Sequence, residues 1–398
     1  MSVSLQRMAL LLAALSAIGP FAIDTYLPAF HAIGAALHAS DDDLQWTLAI
    51  YMATFAFMSL WHGAISDCFG RRVVIITGGV TFLLASLICA VAPSIEWLWF
   101  GRALQGMAAG AGIIVGRAMI RDLFEGAQAQ RLMSRVATIF ALAPAIAPML
   151  GGWITFHAGW RAIFWFLVAF SGFLAWLSWK EIPETLPPAA RKPLQIREML
   201  RAYLRIFSDR EFFLLSAAIA LTFNGFFVHI AAAPTFLIRH LGLTETQFGW
   251  LFVPFVTGLV LGSTISSRVA GRWSAHRTVR CGFIIMGVAV TLAVGHAALF
   301  PPGVPASVLP IGLYSTGMSL AAPSLMLLTL ELFPERRGMV ASCQTFLQVG
   351  LNAVTAKAIA PWIWGSTLTL ELGMCVFFAL GLVCYALWWQ GPRSVGDA

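Results

Sequence analysis

Two ionisable groups stand where water is expected to be scarce. Asp24 lies in "PFAIDTYLPAF" (20–30), inside an apolar run that begins at Met8. Arg102 lies in "GRALQGMAAGAGIIVG" (101–116). A charge in such surroundings must be paired or wetted, and a carboxyl has the further choice of holding a proton. A carboxyl that alternates between dry and wet surroundings can load and unload a proton, which a proton-coupled cycle requires. The ordinary alternatives are a helix-end acid touching water and an arginine reaching to headgroups. A third cluster is "GAISDCFGRR" (63–72), with Asp67, Arg71 and Arg72 between Gly63 and Gly70. There Gly70 suits a tight turn and Gly63 a close helix approach, with an acid and two guanidiniums beside them.

Other chemistries find no support. No Gly-x-x-x-x-Gly-Lys-[Ser/Thr] string occurs, so no ATP-driven pump is expected. No His/Cys/Asp group has metal-ligand spacing, so neither metal nor cofactor is expected. His62 and Asp67 have a spacing that resembles an acyltransferase motif, but no second catalytic block follows, and we read no enzyme.

The elements that position these groups follow from composition. Of 398 residues 59% are hydrophobic and 11% charged. Soluble chains average about 45–50% and about 25%. An integral membrane protein is expected, and the net charge of +7 reads as basic loops rather than a nucleic-acid surface. The six cysteines read as buried thiols. Arg7 before an apolar stretch could open a signal peptide, but the run continues to Phe30 and reads as a span.

A hydrocarbon core takes about 20 helical residues. Twelve runs qualify, spans 1 to 12: 8–30, 44–66, 73–93, 97–120, 132–156, 160–180, 212–235, 247–268, 278–299, 307–330, 339–363 and 367–389. With both termini inside, most Arg and Lys fall in cytoplasmic segments, Lys192 and Arg393 among them, while "DDD" (41–43) lies outside. The polar segment 181–211 divides the chain into 1–180 and 212–398. Its part from Leu194 to Phe207 has helical apolar spacing and reads as a helix on an anionic leaflet or a plain linker. The halves look like a repeat: "ISDCFGRR" (65–72) answers to "ISSRVAGRW" (265–273), and "LPAF…DDDLQW" to "APTF…TETQFGW". The fold expected is all-α, with two six-helix bundles related by a pseudo-two-fold axis.

Here the chain resembles the major facilitator superfamily, whose loop after span 2 has the Gly-x-x-x-Asp-x-x-Gly-Arg-Arg form. The span count and the 6+6 repeat extend the resemblance over nearly the whole chain. It implies that Asp67 and Arg71 join a charge network closing the inside gate, with Asp122 of "RAMIRDLF" as partner; Cys68 stands where a basic residue is common. Arg102 with "RALQG" matches a motif tied to proton coupling. "IDTYLPAF" resembles the span 1 motif of drug:proton antiporters, and implies a proton and substrate site at Asp24. A second acid found two turns earlier in some of those exporters is Ser16 here, so coupling rests largely on one carboxylate and neutral or weakly cationic substrates are implied. "LAPAIAPMLGGW" (142–153) resembles an exporter motif, with Pro144, Pro148, Gly151 and Gly152 in place and Ala147 departing from it. Its other reading is a kinked helix with no bearing on direction.

Further candidates to line a central cavity are Tyr26, Phe55, Met58, Asn224, Phe227, Gln348 and Asn352. Gln348 and Asn352 share one helix face and could equally bond helix to helix. Phe and Met walls suit apolar ligands, and plain core packing explains them as well. Lys357 is expected to snorkel, and His229 to be a satisfied structural residue. The function expected is proton-driven export of hydrophobic drugs, of the bicyclomycin/chloramphenicol-resistance type, by a monomer in a bacterial inner membrane. Its partners are small hydrophobic substrates, protons and lipid. The alternative is a narrow exporter of a native metabolite, such as a sugar or amino acid derivative.

Overall fold

A computed structural model describes residues 5–124, 126–191 and 193–390. Lys192 and Arg393, counted above with the cytoplasmic charges, lie outside the described residues. Helix covers each of the twelve apolar runs. In a bilayer the backbone has no water to bond, so a spanning segment must satisfy its own N–H and C=O groups. Among the described residues nine helices are long and apolar enough to cross a membrane, or ten if the bent pair in span 2 counts as one.

The helices end where local chemistry ends them. Span 1 is helical over Leu5–Asp24. A short 3-10 turn, Leu27–Ala29, follows, where Pro28 withholds an N–H, and the chain resumes as Phe30–Leu37. Span 2 starts at Asp41 with a reciprocal cap: Ser40 Oγ accepts the Asp43 N–H and the Asp43 carboxylate accepts the Ser40 N–H. It runs to Ser59 and turns by 50° into a short helix, His62–Phe69. Gly70 closes that helix at φ +105°, a backbone region only glycine enters freely, and span 3 (Arg71–Ala90) begins at once. Spans 4, 5 and 6 are Ile95–Leu123, Gly126–Ala158 and Trp160–Glu181. Pro144 and Pro148 both lie inside the span 5 helix.

In the second half, span 7 is Arg210–Ala231 followed by a π turn at Thr235–His240. Spans 8, 9 and 10 are Gly249–Val269, Ala275–Leu299 and Leu309–Glu331. Span 11 is Arg337–Val354 with a π turn at Thr355–Ile359 and a short helix Ala360–Ile363. Span 12 is Thr367–Trp389.

Packing repeats with a period of six spans. Spans 2 and 4, 3 and 4, 3 and 6, 1 and 5, and 1 and 4 touch, and so do 8 and 10, 9 and 10, 9 and 12, 7 and 11, and 7 and 10. Span 2 meets span 11 across the halves, and span 5 meets span 8. A two-fold axis exchanges those two pairs with each other, as expected of a repeat facing its copy. Close approach needs small residues. A Cβ on Gly106 would run into the Tyr51 carbonyl and the Thr54 hydroxyl of span 2. Gly63 corrects the sequence reading: a Cβ there meets nothing within 4 Å, so no helix approaches it.

The linker carries one helix, Ile196–Phe207. Tyr203 and Ile206 bury themselves with Phe212, Val340 and Cys343 of the second half. The Tyr203 hydroxyl donates to the Leu60 carbonyl at the span 2 bend, 2.6 Å away. The helix is thus docked on both halves, while Leu200 and Leu204 stay exposed. All six cysteines are free thiols, Cys89 and Cys343 buried and the others half-buried.

Candidate functional site

Asp24 is the last helical residue of span 1 and only 4% exposed. Its carboxyl has no hydrogen bond or charged partner among the described residues. The backbone around it is pinned. Gly151 of span 5 packs so close to Thr25 that a Cβ would overlap its carbonyl. The Thr25 hydroxyl folds back onto the Phe21 carbonyl.

Arg102 is fully buried, yet it does not bind Asp24. Its Nη1 donates to the Ala22 carbonyl (2.9 Å) and to Gln105 Oε1 (2.8 Å). Gln105 in turn donates to Ser86 of span 3 at 2.8 Å. The guanidinium lies 4.4 Å from the Tyr51 ring centre and 4.9 Å from that of Tyr26. Two aromatic faces offset part of the cost of burying the cation, by up to ~2 kcal/mol or more each when dry. The guanidinium is thus held by a backbone carbonyl and an amide oxygen rather than by the carboxylate.

Tyr26 is enclosed. Its hydroxyl is 2.7 Å from Thr47 of span 2, and its ring packs edge-on against Phe30. Tyr51, fully buried between Arg102 and span 1, donates to the Gly19 carbonyl at 3.4 Å. The tyrosine at 51 escaped the sequence reading. A tyrosine in an apolar run usually reads as packing, and only the fold puts its ring under the guanidinium.

At one end of the bundle, the Arg71 face, the signature loop forms a charge network. Arg71 reaches Asp67 at 2.5 Å and Asp122 at 3.2 Å, and its Nη1 donates to Ser66 at 2.6 Å. Thr185 donates to the same Asp122 oxygen at 3.0 Å. Arg72 donates to the Trp179 carbonyl at 2.6 Å. Glu184 of the linker joins in, accepting the Arg71 backbone N–H at 2.9 Å. It was invisible in the sequence because its partner is a backbone group over a hundred positions away. Gly70 leaves room for it, since a Cβ there would collide with the Glu184 carboxylate.

At the opposite end, the Asp41 face, the two halves are bolted together. Asp41 binds Arg239 at 2.7 Å and Asp42 binds Lys357. Gln45 donates to the Ala231 carbonyl at 3.0 Å. Gly152 of span 5 packs tightly against the Glu245 carbonyl. Lys357, expected to snorkel to the outer end, reaches the exposed Asp42 there and lies 4.7 Å over the Trp46 ring.

In the second half Asn224 and Asn352 meet across spans 7 and 11. Asn224 Nδ2 donates to Asn352 Oδ1 at 2.9 Å, and Thr355 donates to Asn224 Oδ1 at 2.7 Å. Both asparagines are buried, so this arrangement is a helix-to-helix bond. Phe227 is buried and stacks on Phe223 at 6.3 Å. Phe55, Met58 and Gln348 are half-buried. His229 has a partner the sequence reading missed: Glu371 of span 12, 3.1 Å away.

The sequence model of the Major Facilitator Superfamily matches residues 10–342. The chain belongs to this superfamily. It is 30% identical over 276 residues to a bicyclomycin resistance protein homolog of Haemophilus influenzae, covering 69% of each chain. It is 28% identical to the multidrug resistance protein MdtL of Escherichia fergusonii, covering 88% of this chain and 86% of that one. In fold it is similar to the human organic anion transporter MFSD10, with a TM-score of 0.71 over 97% of this chain and 17% identity. The chain is thus a multi-pass membrane transporter of small molecules with the major facilitator fold, and not an enzyme.

Proposed function

We propose that this major facilitator is a proton-driven exporter of hydrophobic, neutral or weakly cationic drugs. Chloramphenicol-, florfenicol- and bicyclomycin-like molecules are the substrate class. The observation that carries the reading is Asp24: an acid 4% exposed, with no hydrogen bond or ion pair among the described residues, at the end of a transport helix. An unpaired carboxylate in such dry surroundings costs several kcal/mol, ~3 or more, so proton exchange there is tied to a change of surroundings. The acid becomes a carboxylate when the chain's movement brings water or substrate to it. Arg102 keeps span 1 and span 4 registered through Ala22 and supplies a positive field without quenching the acid.

In the cycle, drug entering from the Arg71 face, taken as cytoplasmic with both termini, displaces the proton from Asp24. The halves 1–180 and 212–398 then rock about the 181–211 linker. Drug leaves at the Asp41 face and an external proton reloads Asp24. Arg71 with Asp67, Asp122 and Glu184 latches the inner gate, supported by Arg72 and Gly70. Phe55, Met58 and Gln348, half-buried, line the path. Tyr26, Asn224, Phe227 and Asn352 brace it from behind, and Pro144, Pro148, Gly151 and Gly152 let span 5 flex against span 1 and span 8. The transporter works as a monomer in the bacterial inner membrane. The names of its relatives, bicyclomycin resistance and multidrug resistance, support the substrate class.

Uptake into inside-out vesicles under an imposed proton gradient tests the reading. Wild type is expected to accumulate chloramphenicol-like substrates, and Asp24→Asn at equal expression to lose gradient-driven uptake. Equal uptake by both removes Asp24 from coupling. No uptake of any drug by either, with one metabolite moved, favours a narrow metabolite exporter.

A further inference from the structure

The second half of the protein holds an ionisable pair that the mechanism above does not use. Glu371 lies one turn inside span 12, about 6 Å of helix rise from Thr367. It is 3% exposed, and its Oε1 is 3.1 Å from Nε2 of the fully buried His229. The other two polar atoms, Glu371 Oε2 and His229 Nδ1, have no partner among the described residues. A purely structural buried pair is normally satisfied at every donor and acceptor, because each open one costs about 1–3 kcal/mol.

Among the described residues the neighbours offer the pair no further ion pair. On the elements packed against spans 7 and 12, Tyr314 of span 10 donates to the Thr222 carbonyl, and Lys357 of the span 11 π turn binds Asp42. Cys375 follows Glu371 by one turn of span 12, as a free thiol. His296 stacks on Phe300 at the end of span 9, and His240 bonds the Trp364 carbonyl. Among the described residues no arginine or lysine forms an ion pair with Glu371. The possible proton loads then differ sharply. With no proton on the pair the dry site carries a net negative charge. With one proton it is neutral in sum, as carboxylate and imidazolium or as acid and imidazole. With two it is positive. A dry, enclosed pair with one open acceptor and one open ring nitrogen has room for a change of proton load once water reaches it.

Water arrives from one direction. The Ala231 carbonyl, two residues beyond His229, accepts the Gln45 bond that joins the halves. Arg239, further along the same segment, binds Asp41. Trp364, just before span 12, lines a recess with Asp41, Gln45 and Arg239. Opening the Asp41 face therefore wets the ends of the two helices that carry the pair.

We propose that His229 and Glu371 form a second proton-binding site, in the second half of the transporter, exchanging its proton with water at the Asp41 face. Its place in the transport cycle rests on the proton-coupled reading above; the protonation itself does not. The measurement is a pH-difference infrared spectrum of the full chain in lipid, for wild type, Glu371→Gln, His229→Gln and Asp24→Asn. Glu371→Gln is expected to remove one titrating buried-carboxyl band, His229→Gln to shift that same band, and Asp24→Asn to leave it in place. If Glu371→Gln does not fold, the band is assigned in wild type by glutamate-specific isotope labelling and followed in His229→Gln. A Glu371 band that never titrates, or that ignores His229→Gln, overturns the proposal. Equal drug uptake by wild type and Asp24→Asn, or none by either, with the Glu371 band still titrating keeps this site while removing the Asp24 drug-antiport reading, so the two fail separately.

Discussion

The ion pairs at the Asp41 face give a worked prediction about conformational balance. Asp41 and Arg239 are roughly half exposed on both sides, whereas Lys357 is 21% exposed and its partner Asp42 61%. An exposed ion pair contributes about 0.2–1 kcal/mol, so the two together contribute about 0.4–2 kcal/mol to the closed face. Both acids also sit in the first turn of span 2, where they favour the helix dipole, but that contribution is the same in open and closed states and cancels. Replacing both, Asp41→Asn with Asp42→Asn, should therefore lower the closed-to-open ratio by about 2- to 30-fold. Spin labels at Ala36 and Trp362, exposed on the two halves, report the ratio as distance populations in double electron–electron resonance. About 1 M salt shortens the screening length to about 3 Å and should move wild type towards the variant. Exchanging the charges, Asp42→Lys with Lys357→Asp, should restore much of the closed population. Unchanged populations in the double variant, or a shift that neither salt nor the exchange mimics, would refute the view that these pairs hold the face shut.

Two further outcomes test packing. Gly106→Val places branched carbons against the Tyr51 carbonyl and Thr54, and overpacking of this kind costs about 1–3 kcal/mol or more; the melting temperature of the detergent-purified protein should fall by several degrees, whereas Gly63→Ala, which meets open space, should leave it unchanged. Glu184→Ala removes the acceptor of the Arg71 N–H at the start of span 3, a cap-like loss of ~1 kcal/mol. Trypsin should then cut the linker at Arg191 faster than in wild type.

The residues that had to be inside a membrane were legible one at a time. Twelve apolar runs, an acid at 24, a guanidinium at 102 and the 63–72 loop are properties of local composition and short spacing, and the helices fall where those runs are. Partnership was legible only where a motif encoded it, as with Arg71 and Asp122. Elsewhere it depended on rotation and register between helices far apart in the chain. Lys357 was expected to snorkel, but its partner Asp42 appears only when span 11 is laid against span 2. Glu371 drew no attention in the sequence, and only the packing of span 12 on span 7 brings it to His229. Asp24 and Arg102, the pair most suggestive by depth, do not bond; the guanidinium takes the Ala22 carbonyl and Gln105 instead, which their sequence positions alone do not reveal. Which segments span and which charges they carry follow from the order of residues alone, because hydrophobic run length and local turn chemistry are one-dimensional. The tertiary structure decided which charges meet and which stay alone, because a helix changes the direction of its side chains by about 100° at every residue.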